Sequence, residues 1–320
     1  MMIRKLDFRN PAYTKQDRND FRALVKRYVG CDKWAKKGAG RLNKKGNVAV
    51  LLTAHPGGRA YLKASVETHK ALGFWTCLSY DNYFDPARPD ITWDSMMPSR
   101  DVMDNVDLFV MGHHQEWGGE LYPYFWLMKW GVSALQDFDY IFCSNGDCIL
   151  EKPENFDDIM YLLNSGPYDI AVIGWEDNGG RPICNTTSFL ARTHVIKAMM
   201  EHFEERFIPL KAYEASAQEI GNCEGRMGAA VIDLGIKVAP VDNPFNTQIH
   251  EPGIGTWCNV LGFRHIHAEW GYAYKHHLIP PPIKYIDQRH MGAGEYNAVK
   301  EYWDTGDENI LKERWWQGGA

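Results

Sequence analysis

The chain has 320 residues, 45% of them hydrophobic and 24% charged, with a formal net charge of −6. That is enough apolar matter for a large core, in the balance of a folded globular protein rather than a disordered or fibrous one. No run approaches the roughly 18 apolar residues of a membrane-crossing helix, and Met1-Met2-Ile3-Arg4-Lys5 opens into polar sequence. Neither a transmembrane segment nor a signal peptide is expected.

Charge is unevenly spread. Residues 1–46 hold 14 Lys and Arg against 4 Asp and Glu, a balance of +10, and the remainder holds 21 against 37, a balance of −16. Such a block is either a solvated helical extension packed on an acidic body or an arm that meets phosphate, on nucleic acid or another anionic surface. The seven cysteines, at 31, 77, 143, 148, 184, 223 and 258, make no paired zinc spacing. They read as buried free thiols in a reducing compartment, by default the cytoplasm.

In chain order, residues 11–30 carry Phe21, Leu24, Val25 and Tyr28 at helical spacing, and 38–46 is a Gly/Lys-rich connector. Val48-Ala49-Val50-Leu51-Leu52 is the uninterrupted apolar run of a buried parallel strand. A loop, His55-Pro56-Gly57-Gly58, leads to an amphipathic helix over 61–72. Further strands follow at 74–80, 107–111 and 140–143, with a helix over 124–135 before the last of them. Strand 169–174, a helix near 194–206 and a helix–strand pair around 223–241 continue the pattern, and beyond 245 the sequence reads as loop-rich, dense in Pro, His and Trp.

Strand and helix in alternation predict an α/β fold with a mostly parallel central sheet flanked by helices. Ligands of such sheets gather beyond the carboxyl ends of the strands. Three polar clusters stand there: Thr53-Ala54-His55, Asp81-Asn82 and Ser144-Asn145-Gly146-Asp147.

The densest signal is Asp139-Tyr140-Ile141-Phe142-Cys143-Ser144-Asn145-Gly146-Asp147-Cys148-Ile149-Leu150, a buried strand, a polar turn with a carboxylate, and a second short apolar segment. Here the chain resembles the GT-A glycosyltransferases, Rossmann-like enzymes whose central strand ends in an Asp-x-Asp turn. In that family the turn holds Mn²⁺ or Mg²⁺ against the diphosphate of a sugar nucleotide, a task suited to hard cations bound through few carboxylates plus phosphate oxygens. The sequence departs from the pattern at Asn145, where the first Asp would stand, so one anionic charge is missing. Asn145 is left a ribose hydroxyl or a metal-bound water as partner.

The resemblance extends in order over roughly 47–245. It implies a nucleoside site at the first loop and at Asp81, with Thr53, Ala54, His55, Arg59, Asp81 and Asn145 as donor-binding candidates and Glu116-Trp117-Gly118-Gly119-Glu120 as the Gly-bearing loop before the 124–135 helix. It implies a carboxylate at the start of a late helix, eleven residues before a Gly, and Glu224 before Gly235 fits that frame. Glu224 would take the proton of the acceptor hydroxyl in an inverting displacement, with Glu219 and Glu214 as nearest substitutes. It also implies a late His on the metal. In Arg264-His265-Ile266-His267-Ala268-Glu269, alternation on an extended segment puts both His on one face, and His267 is the chosen ligand over His250, His276 and His277. The segments 175–180 and 185–188 are expected on the acceptor side.

The resulting expectation is a basic helical extension (1–46), a GT-A nucleotide-sugar-binding and catalytic domain (47–245) and a loop-rich C-terminal segment that completes the site (246–320). The enzyme would move a sugar from a nucleotide-diphosphate donor, a UDP-sugar first, to the hydroxyl of a glycan or other acceptor, with Asp147 and His267 on the metal. If the basic arm meets nucleic acid, the acceptor becomes a modified base of DNA, as for some viral enzymes of this broad class, and the setting a host cytoplasm. Two rivals remain. A sugar-phosphate nucleotidyltransferase needs a Gly-rich, Arg-containing first loop that His55-Pro56-Gly57-Gly58-Arg59 matches poorly, and a non-catalytic nucleic-acid-binding protein would use the arm alone.

Overall fold

The computed structural model describes residues 48–81, 97–112, 121–165, 167–172, 175–177, 182–184, 188–207, 230–237, 246–247, 257–258 and 261–317. The basic extension lies outside the described residues, as do Glu214, Glu219, Glu224, His250 and the 116–120 loop.

The first half alternates strand and helix. β1 (Val48–Ala54), α1 (Arg59–Lys70), β2 (Trp75–Asp81), α2 (Arg100–Asn105), β3 (Leu108–Gly112), α3 (Leu121–Ala134) and β4 (Tyr140–Asn145) follow one another. Then come β5 (Cys148–Leu150), α4 (Phe156–Ser165), β6 (Ile170–Val172), the hairpin β7 (Trp175–Asp177) and β8 (Pro182–Cys184), β9 (Ser188–Arg192) and α5 (Thr193–Phe207). The last third holds β10 (Asn246–Thr247), β11 (Trp257–Cys258), β12 (Phe263–His265), α6 (Ile266–Lys275) and α7 (Ala293–Thr305).

Among the described residues, six strands form the central sheet in the order β3-β2-β1-β4-β9-β6. β1, β2, β3 and β4 are mutually parallel, while β9 runs antiparallel to both β4 and β6. The fold is therefore α/β with a mixed, mostly parallel sheet. β9 departs from the sequence reading, which placed Ser188 in an acceptor-side turn. Its run Phe189-Leu190-Ala191 is short, but its hydrogen bonds to β4 and β6 put it in the middle of the sheet, fully buried.

Alternation along β1 explains the layers. Val48, Val50, Leu52 and Ala54 face one side with Leu62 and Val66 of α1 and Phe156, Ile159 and Leu163 of α4. Ala49 and Leu51 face the other with Met128 and Val132 of α3 and Val195, Ile196, Met199 and Phe203 of α5. Helix α3 lies so close to the sheet that a Cβ on Gly131 would stand 2.2 Å from Leu51 Cδ1. With both faces covered, all seven residues of β1 are buried, which accounts for its unbroken apolar run.

The C-terminal segment 246–320, read from composition as loops, is largely helical among its described residues. It builds a separate apolar cluster in which Ile266, Trp270, Tyr285, Val299, Tyr302, Leu311 and Trp315 pack on Ala60, Tyr61 and Ala64 of α1. Helix α1 is thus buried on two sides, against the sheet and beneath this segment. No helix among the described residues is long and apolar enough to cross a membrane. Cys77, Cys143 and Cys148 are buried and form no disulfide among the described residues.

His69, on the inner side of α1, is fully buried and stacks on Phe142, with ring centroids 5.8 Å apart. Its Nδ1–H donates to the Ser65 carbonyl at 2.8 Å, and its Nε2 has no hydrogen-bond partner among the described residues. Burial pushes its pKa down to about 4, against the opposing pull of the Ser65 carbonyl. An unfolded His titrates near 6.5, so between these values only the unfolded chain holds the proton. The contribution of a neutral His69 is complete above about 6.5 and is lost as pH falls toward about 4. We expect the stability gap between wild type and His69→Leu, from urea midpoints, to move by about 2 kcal/mol in favour of the variant between about pH 7 and about pH 4.5.

Candidate functional site

The chain runs β1, β2, β3 toward one edge, then returns to the other side of β1 for β4. The carboxyl ends of β1 and β4 therefore flank the switch point where open α/β sheets bind ligands. Thr53 and Asn145 are paired in register there, and Thr53 Oγ1 donates to Asn145 Oδ1 at 3.2 Å. The next residue, Gly146, turns across the end of β1, with its N–H donating to the Thr53 carbonyl at 2.7 Å. A Cβ on Gly146 would lie 2.6 Å from Ala54 Cβ and 2.8 Å from Leu62 Cδ1, so any side chain would lift the turn from the sheet. Ala54 is thereby the floor under the turn.

Asp147 follows, and the chain re-enters apolar surroundings as β5. This short strand pairs antiparallel with β12, bringing Cys148 opposite His265, and the N–H of Ile266 donates to the Asp147 carbonyl at 3.0 Å. His265 Nε2 lies 3.0 Å from Asp147 Oδ2, His267 Nδ1 lies 3.5 Å from the same oxygen, and Cys148 Sγ lies 3.7 Å from Oδ1. Asp147, Cys148 and His265 each offer a ligand atom, all within 4.8 Å of one another. Burial works to raise the Asp147 pKa. The charge and hydrogen bond of His265, and then those of His267, outweigh it and hold the carboxylate well below its usual range.

The sequence puts the two histidines on one face of an extended segment, and this is corrected. β12 ends at His265 and α6 begins at Ile266, so His267 comes from the first helical turn. Both still reach Asp147, with His265 the nearer. The sequence reading chose His267 alone and passed over His265 and Cys148 as ligands; their pairing depends on a strand contact between residues 117 positions apart. Tyr61, also unnoticed in the sequence, stacks on His267 with centroids 5.6 Å apart. Burial, then the carboxylates of Asp147 and Glu295, push its phenol above the ordinary range.

The other sequence candidates fall around this centre. The Pro56–Gly58 turn, capped by His55 Nδ1 accepting from the Gly57 N–H, abuts it: a Cβ on Gly58 would be 3.9 Å from Asp147 Cβ. His55 is exposed. Arg59 Nε donates to the Pro56 carbonyl at 2.9 Å, folding the side chain back over the turn. Asp81 closes β2, and its side chain lies outside the described set. His276 caps the far end of α6, and His277 stacks on Trp316, so neither shares the Asp147 cluster.

No family model matches the chain. No curated protein matches it either.

A clamp holds the histidine turn. Arg264, just before His265, donates from Nε to Glu269 Oε2 at 3.1 Å and also bonds that carboxylate through its terminal nitrogen, stapling β12 to α6. Its other arm reaches Glu151 at 3.0 Å, at the end of β5, and Tyr285 donates to the same Glu151 oxygen at 2.7 Å. Removing the guanidinium takes the shared cation from Glu269, which is partly buried, and from Glu151, which is exposed. We expect Arg264→Met to lower unfolding stability by about 2–3 kcal/mol, below the full cost for a buried pair because Glu151 is exposed. Arg289→Met, which removes an exposed guanidinium from between exposed Asp101 and the well-covered Asp287, should cost about 1 kcal/mol by the same denaturation measurement.

Proposed function

We propose that this protein is a glycosyltransferase of the GT-A type, using a nucleotide-diphosphate sugar and a divalent metal held at Asp147. The observation that carries the reading is the partly buried Asp147 carboxylate at the switch point of the sheet, met on one oxygen by two imidazoles. Two ligands with bonds of about 2.0–2.2 Å to one ion stand roughly 3–3.5 Å apart, so spacings of 3.0 and 3.5 Å suit ligands of a shared cation. Paired with carboxylate oxygen, imidazole nitrogen favours Mn²⁺ over Mg²⁺. When bound, the metal would neutralise charge developing on the diphosphate leaving group.

The surrounding residues support a phosphate-bearing ligand. The N-terminus of α1, whose first turn contains no acidic side chain, lies beside Asp147 through Gly58 and gives the site a positive end. The Thr53–Asn145 pair leaves an amide at the rim of the sheet suited to a ribose hydroxyl. Asp81, at the end of β2, remains the proposed nucleoside contact, and Glu224 the proposed base for the acceptor hydroxyl. The basic residues of 1–46 are proposed to favour an anionic acceptor.

The test is a thermal-shift screen of nucleoside diphosphates and their sugars, with and without Mn²⁺, followed by donor hydrolysis. A ligand at about 100 times its Kd should stabilise the wild type by about 2.7 kcal/mol, only when metal is present. Asp147→Asn keeps the shape but removes the charge; it should abolish that shift and cut hydrolysis by about 10²-fold or more. Metal-independent nucleotide binding, or unchanged hydrolysis in Asp147→Asn, would overturn the role of Asp147.

A further inference from the structure

We propose that Cys148 is a further ligand of the cation at Asp147, which makes this a mixed oxygen, nitrogen and sulfur centre selective for Zn²⁺- or Co²⁺-like ions over Mg²⁺. The inference rests on the reading of Asp147 as a metal ligand, and it is independent of the sugar donor. The β5–β12 register sets it up: residues directly opposite in an antiparallel pair project from the same face, with Cβ atoms about 4.5–5.5 Å apart. Cys148 and His265 are such a pair. Asp147, one residue earlier, turns its carboxylate between them, with Oδ1 3.7 Å from the sulfur and Oδ2 3.0 Å from the imidazole nitrogen. His267, 3.5 Å from Oδ2, stands outside this group of three, whose ligand atoms all lie within 4.8 Å of one another.

Three protein donors leave a fourth position of a tetrahedral ion open for water or a phosphate oxygen. Around an ion with bonds of about 2.0–2.3 Å, tetrahedral ligand atoms stand roughly 3.3–3.8 Å apart. Sulfur is a soft donor that Mg²⁺ does not favour and zinc-like ions do. Charge points the same way. A divalent cation with one carboxylate, one thiolate and one neutral imidazole is electrically neutral, the state that costs least where water is scarce. Cys148 is fully buried and its thiol is aimed at a carboxylate, whereas Cys77 and Cys143 are packed in the opposite apolar layer. On binding, the metal–sulfur bond forms as the Cys148 S–H bond breaks; the proton passes to solvent and no oxidation state changes.

The experiment is an optical titration of the metal-stripped full chain with Co²⁺. The wild type should show a near-ultraviolet sulfur-to-cobalt charge-transfer band together with intense tetrahedral visible bands. Zn²⁺ should displace both, and a large excess of Mg²⁺ should displace neither. Cys148→Ser should lose the charge-transfer band and weaken Co²⁺ binding by about tenfold or more, while Cys143→Ser, checked by the same titration, keeps both. Should Cys148→Ser fail to fold, zinc-edge absorption fine structure of the wild type decides instead, with one sulfur neighbour expected. Cobalt bound through oxygen and nitrogen alone, or a band that survives Cys148→Ser, overturns the proposal and leaves a metal at Asp147 standing. Absence of both Co²⁺ and Mn²⁺ binding overturns the proposal and the metal reading together.

Discussion

A carboxylate taken out of water must be met by opposite charge or by donors, and at Asp147 these come from a segment 118 residues further along the chain. Much of the C-terminal third can be understood as the means of delivering them. β12 pairs with β5 to bring up His265, α6 starts at once to swing His267 inward, and Arg264 ties the turn to both neighbours. The apolar cluster around Trp270 and Trp315 then fixes α6 and α7 on the outer side of α1. Without that cluster the ribbon would be two three-residue strands, far too little to hold its register alone.

Helix α1 joins the two halves of this arrangement. Leu62 and Val66 seat it on the sheet, while Ala60, Tyr61 and Ala64 receive the C-terminal segment. Small residues at 60 and 64 let the second layer approach closely, and the large residue that shares this face with them, Tyr61, is the one that stacks on His267. Gly146 performs the matching task on the sheet side, where Ala54, Leu62 and the Thr53 carbonyl leave no room for a side chain. The position of the carboxylate is therefore set by contacts on several sides, none of which touches its oxygens.

The sheet was legible in the sequence wherever burial on both faces produces a continuous apolar run, as in Val48 through Leu52 and in Tyr140 through Cys143. Asp147 was legible for the same reason, because it is the first charged residue after such a run. Other features depend on contacts that no local pattern records. β9 is a strand because β4 and β6 hydrogen-bond it, and its leading Ser188 reads locally as a turn. The His265–Ile266 boundary, where strand gives way to helix, has no proline or glycine to announce it, so simple alternation was carried one residue too far. Composition misled in the last third. Its prolines, histidines and tryptophans suggest loops, yet Trp270, Tyr302 and Trp315 are buried core side chains on helical turns.

The order of these parts along the chain has a temporal consequence. A ribosome adding about 5–20 residues per second needs roughly 6–24 s to pass from Asp147 to His265. Through that interval the parallel strands β1 to β4 have all been synthesised, whereas the imidazoles that will face the carboxylate do not yet exist. The nascent protein therefore carries a sheet with an open, water-exposed acid at its rim, and its centre comes together only when β12 pairs with a strand made long before. Assembly of the site is a late, long-range closure rather than a local event, so a shortened or stalled product can own a complete sheet and still have no centre at all.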